Sequence, residues 1–127
     1  MRIFKLKRFA KFTRDEDIAD ASLADAIRRA ERGLIDADLG GGLIKQRVAR
    51  QGQGRAGGYR MIVGYRTKTR AIFLYGFAKN ERANIDEDER ASFRAMASSL
   101  LLATDKQIDL AVADGAIVEV IYDEEDE

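Results

Sequence analysis

Residues 40–84 read GGGLIKQRVARQGQGRAGGYRMIVGYRTKTRAIFLYGFAKNERAN, and this stretch decides the fold. Three β-rich runs, residues 43–48, 58–66 and 70–77, alternate with a period of two. Lys45 and Arg47 share one face of the first run, and Ile44 and Val48 the other. In the second, Tyr59, Met61, Val63 and Tyr65 oppose Arg60, Ile62, Gly64 and Arg66. In the third, Ile72 and Leu74 oppose Phe73, Tyr75 and Phe77. Apolar residues on both faces predict a sheet covered on both sides. The short link at residues 67–69 predicts an antiparallel hairpin.

On the N-terminal side, residues 2–7 alternate around Ile3, Phe4 and Leu6, which predicts a first strand. Its Lys and Arg content is that of an edge strand. Phe9 and Phe12 are spaced as core anchors of a helical turn. Ser22-Leu23-Ala24-Asp25 reads as a capping box that opens a helix with Leu23, Ala26, Ile27, Ala30 and Leu34 on its buried side. Gly33 stops that helix, and residues 36–42 form a turn-like linker.

On the C-terminal side, Asn84-Ile85-Asp86-Glu87 is a second capping box, before a stripe of Phe93, Met96, Ala97, Leu100 and Leu101. Thr104-Asp105-Lys106-Gln107 is a third, leading to Ile108, Ala111 and Val112. Gly115 breaks that helix, and residues 116–122 are rich enough in β-formers to add a last strand. Residues 1–122 are expected to form one domain, with 123–127 a solvated acidic tail.

The chain has 127 residues, 46% hydrophobic and 35% charged, as in an ordinary folded protein. It has no Cys and no His, which removes disulfides, thiolate and imidazole ligands, and imidazole acid–base chemistry. With no long apolar run and no signal-like start, a cytoplasmic protein without a membrane partner is expected. Net charge is zero, yet residues 40–84 carry ten Lys or Arg against one acid, Glu81. Residues 1–82 sum to +10 and residues 83–127 to −10. Such a split points to a body that faces a polyanion.

Gly52-Gln53-Gly54-Arg55-Ala56-Gly57 matches GxGxxG, but a dinucleotide site needs a helix after it, and a strand follows here. Gly40-Gly41-Gly42 lacks the GK[ST] ending of a P-loop. The glycine-rich link is read instead as a basic hairpin loop, with Arg50 and Arg55 as phosphate contacts or solvated charges. Lys45, Arg47 and Arg60 sit on neighbouring strands, with Lys79 and Arg82 beyond the next one. Each alone is an ordinary surface charge, but together they repel, and their accumulation points to a bound anion. RNA phosphate is the natural candidate. Tyr59, Tyr65, Phe73, Tyr75 and Phe77 interleave with these cations, at a spacing that suits the core better than base stacking. Glu81 stands alone, so no carboxylate set for Mg²⁺, and no other cofactor, is expected.

Three blocks carry a resemblance: residues 39–47 (LGGGLIKQR), Gly57-Gly58-Tyr59-Arg60, and residues 73–82 (FLYGFAKNER). In this order they resemble the RelE/ParE superfamily of bacterial type II toxins, nearest the HigB-like branch with its GFAKNER segment. The resemblance implies an α+β fold: a small antiparallel-centred sheet with two N-terminal helices and a C-terminal helix. It implies a metal-independent, ribosome-dependent mRNA endonuclease that inhibits translation. By match, Arg60 resembles the strand arginine that stabilises the scissile phosphate. Lys45 and Arg47 hold the positions of the basic strand pair, and Lys79 and Arg82 those of the segment after the third strand. Lys79 or Lys45 would accept the 2′-OH proton, with Arg47 and Arg82 on flanking phosphates. The RelE pattern places a Tyr at the start of the next helix, where this chain has Ile85-Asp86. The implied partners are mRNA, the ribosome and a helix-turn-helix DNA-binding antitoxin. Two alternatives share these features: a toxin of the same fold that poisons DNA gyrase, and a basic RNA-binding module without activity.

Overall fold

The hairpin expected at residues 67–69 is the centre of a six-stranded sheet. The structure is a computed structural model that describes residues 1–50 and 54–122, excepting the side chains of 54–56. The acidic tail expected at 123–127 lies outside the described residues. In chain order the elements are β1 (Arg2–Leu6), α1 (Lys7–Asp15), α2 (Asp20–Glu31), β2 (Ala37–Gly40), β3 (Leu43–Arg50), β4 (Gly54–Arg66), β5 (Arg70–Ala78), α3 (Glu87–Leu102), α4 (Asp105–Ala113) and β6 (Ile117–Glu119). The sheet order is β2-β3-β4-β5-β1-β6, antiparallel from β2 to β5 and parallel between β5 and β1. This is the expected α+β fold, and the added C-terminal strand is present, antiparallel to β1. Among the described residues no helix is long and apolar enough to cross a membrane.

Both sheet faces are covered. Phe9, Leu23, Ile27, Met61, Val63 and Phe73 belong to the core beneath α1 and α2. Leu43, Ile62, Ile72, Leu74, Phe77 and Ala97 belong to the core beneath α3 and α4. The expected grouping of Phe73 with Tyr75 and Phe77 is corrected. Register between β4 and β5 steps from Ile62↔Tyr75 to Val63↔Phe73, so Leu74 has no opposite number. One inserted residue reverses the alternation. Phe73 therefore packs on Phe9 in α1, ring centroids 5.3 Å apart, while Tyr75 stacks on Phe93 in α3 at 5.5 Å.

Other expectations shift. β1 is not an edge, because β6 pairs with it. The cations that looked like edge protection have partners: Arg2 with Asp109 and Glu119, and Lys5 with Asp20. The linker at residues 36–42 contains one of the two edge strands, β2, too short and too polar to show alternation, and β6 is the other. α2 begins at Asp20, before the expected box at Ser22, and has no side-chain cap; the Asp20 carboxylate is engaged by Lys5 and by the Ile121 N–H instead. Leu34 is 60% exposed, because α2 has already ended and the chain has turned at Gly33, φ +81°. The second capping box lies two residues later than read, between Asp86 and Glu89. The third, Thr104 with Gln107, is where it was expected.

Glycines let α3 lie close to the sheet. Gly40, Gly41 and Gly42 turn β2 into β3 with φ of +85°, +62° and +84°, which side chains resist. A Cβ on Gly64 would stand 3.1 Å from that of Ala97. The C-terminus of α3 is fastened by Arg70, 6% exposed, whose Nη1 donates to the carbonyls of Leu100 (2.7 Å) and Ala103 (2.8 Å). Its Nη2 pairs with Asp105 at 2.9 Å. These are otherwise orphaned helix-end acceptors. Arg70→Ala is expected to cost roughly 2–4 kcal/mol in urea denaturation, the range for losing charged hydrogen bonds at a buried site. A loss below about 0.5 kcal/mol, the level of an ordinary surface change, would show that α3 is held elsewhere.

Candidate functional site

The long antiparallel hairpins place one row of side chains directly across three strands. Arg47 in β3 is opposite Arg60 in β4, and Arg60 is opposite Phe77 in β5. One step along the same face lies a second row, Lys45, Ile62 and Tyr75. Phe77 and Tyr75 reach this face only because of the extra residue at Leu74. Arg82 follows from the turn after β5, its guanidinium carbon 5.6 Å from the Tyr75 ring centre and 5.9 Å from that of Phe77. The face thus presents Arg47, Arg60, Phe77 and Arg82 in sequence, with Lys45 alongside.

The cations differ in their surroundings. Arg60 is 6% exposed. Burial, and then the neighbouring charge of Arg47, push its guanidinium below the usual arginine value, with Asp36 opposing. Arginine stays charged through such a shift, so a positive group is held desolvated at the middle of the row. Arg47 is half-exposed, with Nε 2.7 Å from Asp36. Lys45 is half-buried and Lys79 exposed, and neither has an ion-pair partner among the described residues. The Lys79 N–H donates to Gly58, carrying the β4–β5 ladder one residue past the strand.

Arg82 is the most tightly held. It donates to both carboxylate oxygens of Glu89, to the Tyr75 hydroxyl at 3.0 Å and to the Asn84 carbonyl at 2.8 Å. Glu89 also completes the capping box of α3 through the Asp86 N–H. Arg82, then this N–H, hold the Glu89 carboxyl at about 2, and Glu89 with Tyr75 raises Arg82 in turn.

Of the residues read from sequence, the fold brings together Lys45, Arg47, Arg60 and Arg82, with Lys79 at the strand end beside them. Arg50 is not among them. It follows an irregularity in β3, lies over the Tyr59 ring at 5.5 Å, reaches Glu16 at 3.9 Å, and belongs with the α1 side. The Arg55 side chain lies outside the described residues. The backbone from Gly54 is already β4, so no helix follows the GxGxxG run. Sequence reasoning missed Asp36 and Glu89 as partners of the cations and Phe77 as a member of the row. The first two carried no local signal, and the third was hidden by the parity change.

One family profile matches the chain over residues 1–120, that of the RelE toxin of the RelE/RelB toxin–antitoxin system. No curated protein matches it.

The Arg82–Glu89 pair sets a pH dependence. The folded carboxyl lies at about 2, below its ordinary 4.5, so the pair's contribution is complete above pH 4.5 and is lost as pH falls toward 2. In an NMR titration Glu89 should show its midpoint at about 2, and Arg82→Gln should return it toward 4.5. An unmoved midpoint in the variant would mean that Arg82 is not what holds it.

Proposed function

Since the chain belongs to the RelE toxin family of RelE/RelB toxin–antitoxin systems, we propose that it is a cytoplasmic, ribosome-dependent mRNA endonuclease of the HigB-like branch, neutralised by a helix-turn-helix antitoxin. The observation that carries this reading is the register Arg47↔Arg60↔Phe77 on one face, with Lys45 beside it and Arg82 over Phe77. The branch assignment rests on the GFAKNER segment at residues 76–82.

RNA supplies its own nucleophile. The 2′-OH attacks the adjacent phosphorus in line, the bond to the 5′ oxygen breaks, and a 2′,3′-cyclic phosphate and a 5′-hydroxyl result. The protein must orient the strand, accept the 2′ proton and offset the negative charge that builds on the phosphorane. Arg60 suits the last of these roles, because its planar fork binds two oxygens of one phosphate and a desolvated cation acts more strongly than a hydrated one. Lys45, half-buried on the same face as Arg60, is assigned the 2′ proton in preference to Lys79, which is exposed at the strand end. Water protonates the leaving oxygen in this reading. Arg47 grips a flanking phosphate, and Arg82, fixed by Glu89 over the edge of Tyr75 and Phe77, grips another. No metal is invoked, because the charge is carried by guanidinium groups.

Mapping transcript 5′ ends after induction tests this. The wild-type chain should produce new breaks within codons, in frame. Arg60→Ala should cut about 10²–10³-fold more slowly, the cost of removing one transition-state donor. Its thermal unfolding should stay cooperative. Intact transcripts with DNA damage would assign the toxin to gyrase instead, and undiminished cleavage by Arg60→Ala would remove that residue from the chemistry.

A further inference from the structure

A second basic surface stands outside the row. In α1, Lys7, Lys11 and Arg14 recur at i, i+4 and i+7 and share one side, and Arg8 flanks them. All four are exposed. Lys11 is paired with Asp15 at 2.6 Å; Lys7, Arg8 and Arg14 have no ion-pair partner among the described residues. Nothing in the helix itself asks for them. The first turn of α1 has no acid and no side-chain cap, yet it holds Lys7 and Arg8 at the positive end of the helix dipole, where cations are unfavourable.

This surface is continuous with the proposed site. β1 pairs with β5 only as far as Lys5↔Phe73 and then turns into α1. From Leu74 onward, the side of β5 away from β4 borders a groove whose lining includes Arg8, Lys11, Asp15, Leu74, Tyr75 and Gly76, with Asp15 held by Lys11. Tyr75 is shared, since its ring also lies under Arg82. The row Arg47–Arg60–Phe77 runs across the sheet toward this edge, and the cations of α1 stand on its far side. At about 4.8 Å per strand, the row spans roughly 10 Å before it reaches the groove.

We propose that the exposed side of α1 is a second RNA-backbone contact surface, which takes up phosphates of the strand leaving the cleavage row across the β5 edge. The proposal rests on the nuclease reading for the direction of the strand, but its chemistry, cation on phosphate, is tested separately. An acidic protein would meet the same charges. The groove's continuity with Tyr75, Phe77 and Arg82 favours the ligand already assigned to that face.

The test is binding of a single-stranded 2′-O-methyl RNA, which cannot be cut by 2′-OH attack, across a series of KCl concentrations. Lys7→Gln, Arg8→Gln and Arg14→Gln are combined, Gln being as good a helix former as the residues replaced. The variant should bind about tenfold more weakly, and its plot of log affinity against log salt should flatten by about 2, at roughly 0.7 for each phosphate no longer neutralised. Its melting temperature should stay the same or rise, because two cations have left the positive end of α1. The charge-conserving pair Arg8→Lys with Arg14→Lys should keep the wild-type slope. Unchanged affinity and slope in the triple variant would overturn the proposal, as would loss of antitoxin binding with RNA binding intact. If wild-type protein cleaves no message yet the slope still falls, the α1 surface stands and the nuclease reading fails.

Discussion

One unpaired residue in β5 sets what each face of the sheet can do. With Leu74 inserted, the strand spends its first half supplying Phe73 to the core under α1 and α2, and its second half turning Tyr75 and Phe77 to the opposite side. Without the slip, both rings would point toward α1 and α2, and Arg60 would have Gly76 or Ala78 rather than Phe77 across from it. The slip also puts a glycine where α1 comes nearest. A Cβ on Gly76 would stand 2.6 Å from the Phe12 ring. Bulges commonly re-aim side chains beside functional sites, and here the re-aimed residues are the aromatic ones.

Charge is distributed by the same logic. Among the described residues of the acidic C-terminal third, Glu89 pairs with Arg82, and the other ion-paired carboxylates go elsewhere: Asp109 and Glu119 to Arg2, and Asp105 to Arg70. Among the described residues, Asp36 is the one acid in an ion pair with a cation of the cross-strand row. Glu89 is placed to serve twice, ending the first turn of α3 and fixing Arg82 over Tyr75 and Phe77. A change at the start of α3 is therefore felt at the site without touching Arg60.

The central hairpins were legible because their alternation is strong and their turns are short. So were the helix stop at Gly33 and the caps at Thr104 and Gly115, where backbone geometry selects the residue. What escaped was tertiary. β2 is four residues long and reads as a polar linker. Gln46, fully buried, looked like any polar strand residue, yet its amide donates to the Ala26 and Leu34 carbonyls and accepts from the Asp36 N–H. It fastens β3 to the middle of α2 and to the connection that follows it, and it leaves no polar atom of its own unsatisfied, as the cost of burying an amide requires. A strict period of two cannot announce its own interruption, so the error at Leu74 carried through to Tyr75 and Phe77. The cation set could be counted because three Lys and Arg on adjoining strands and two just beyond β5 need no exact register.

Arg60 shows why such a set is unlike a merely soluble surface. A cation that is 6% exposed beside another cation opposes folding through both desolvation and repulsion. A neighbouring sheet position on the same face, Ile62, shows that an aliphatic side chain fits there and buries completely. Stability alone would favour the aliphatic residue at position 60 too. The arginine is tolerated because surrounding groups, Asp36 beside Arg47 among them, offset part of the cost, and an incoming anion would offset more. Arg70, just as buried, makes the contrast. Its guanidinium is consumed by two carbonyls and a carboxylate at a helix end, and it has nothing left to offer a ligand. Two buried arginines on neighbouring strands thus separate by their company, one closing the fold at the end of α3 and the other standing beside a second cation, Arg47, on the face of the cross-strand row.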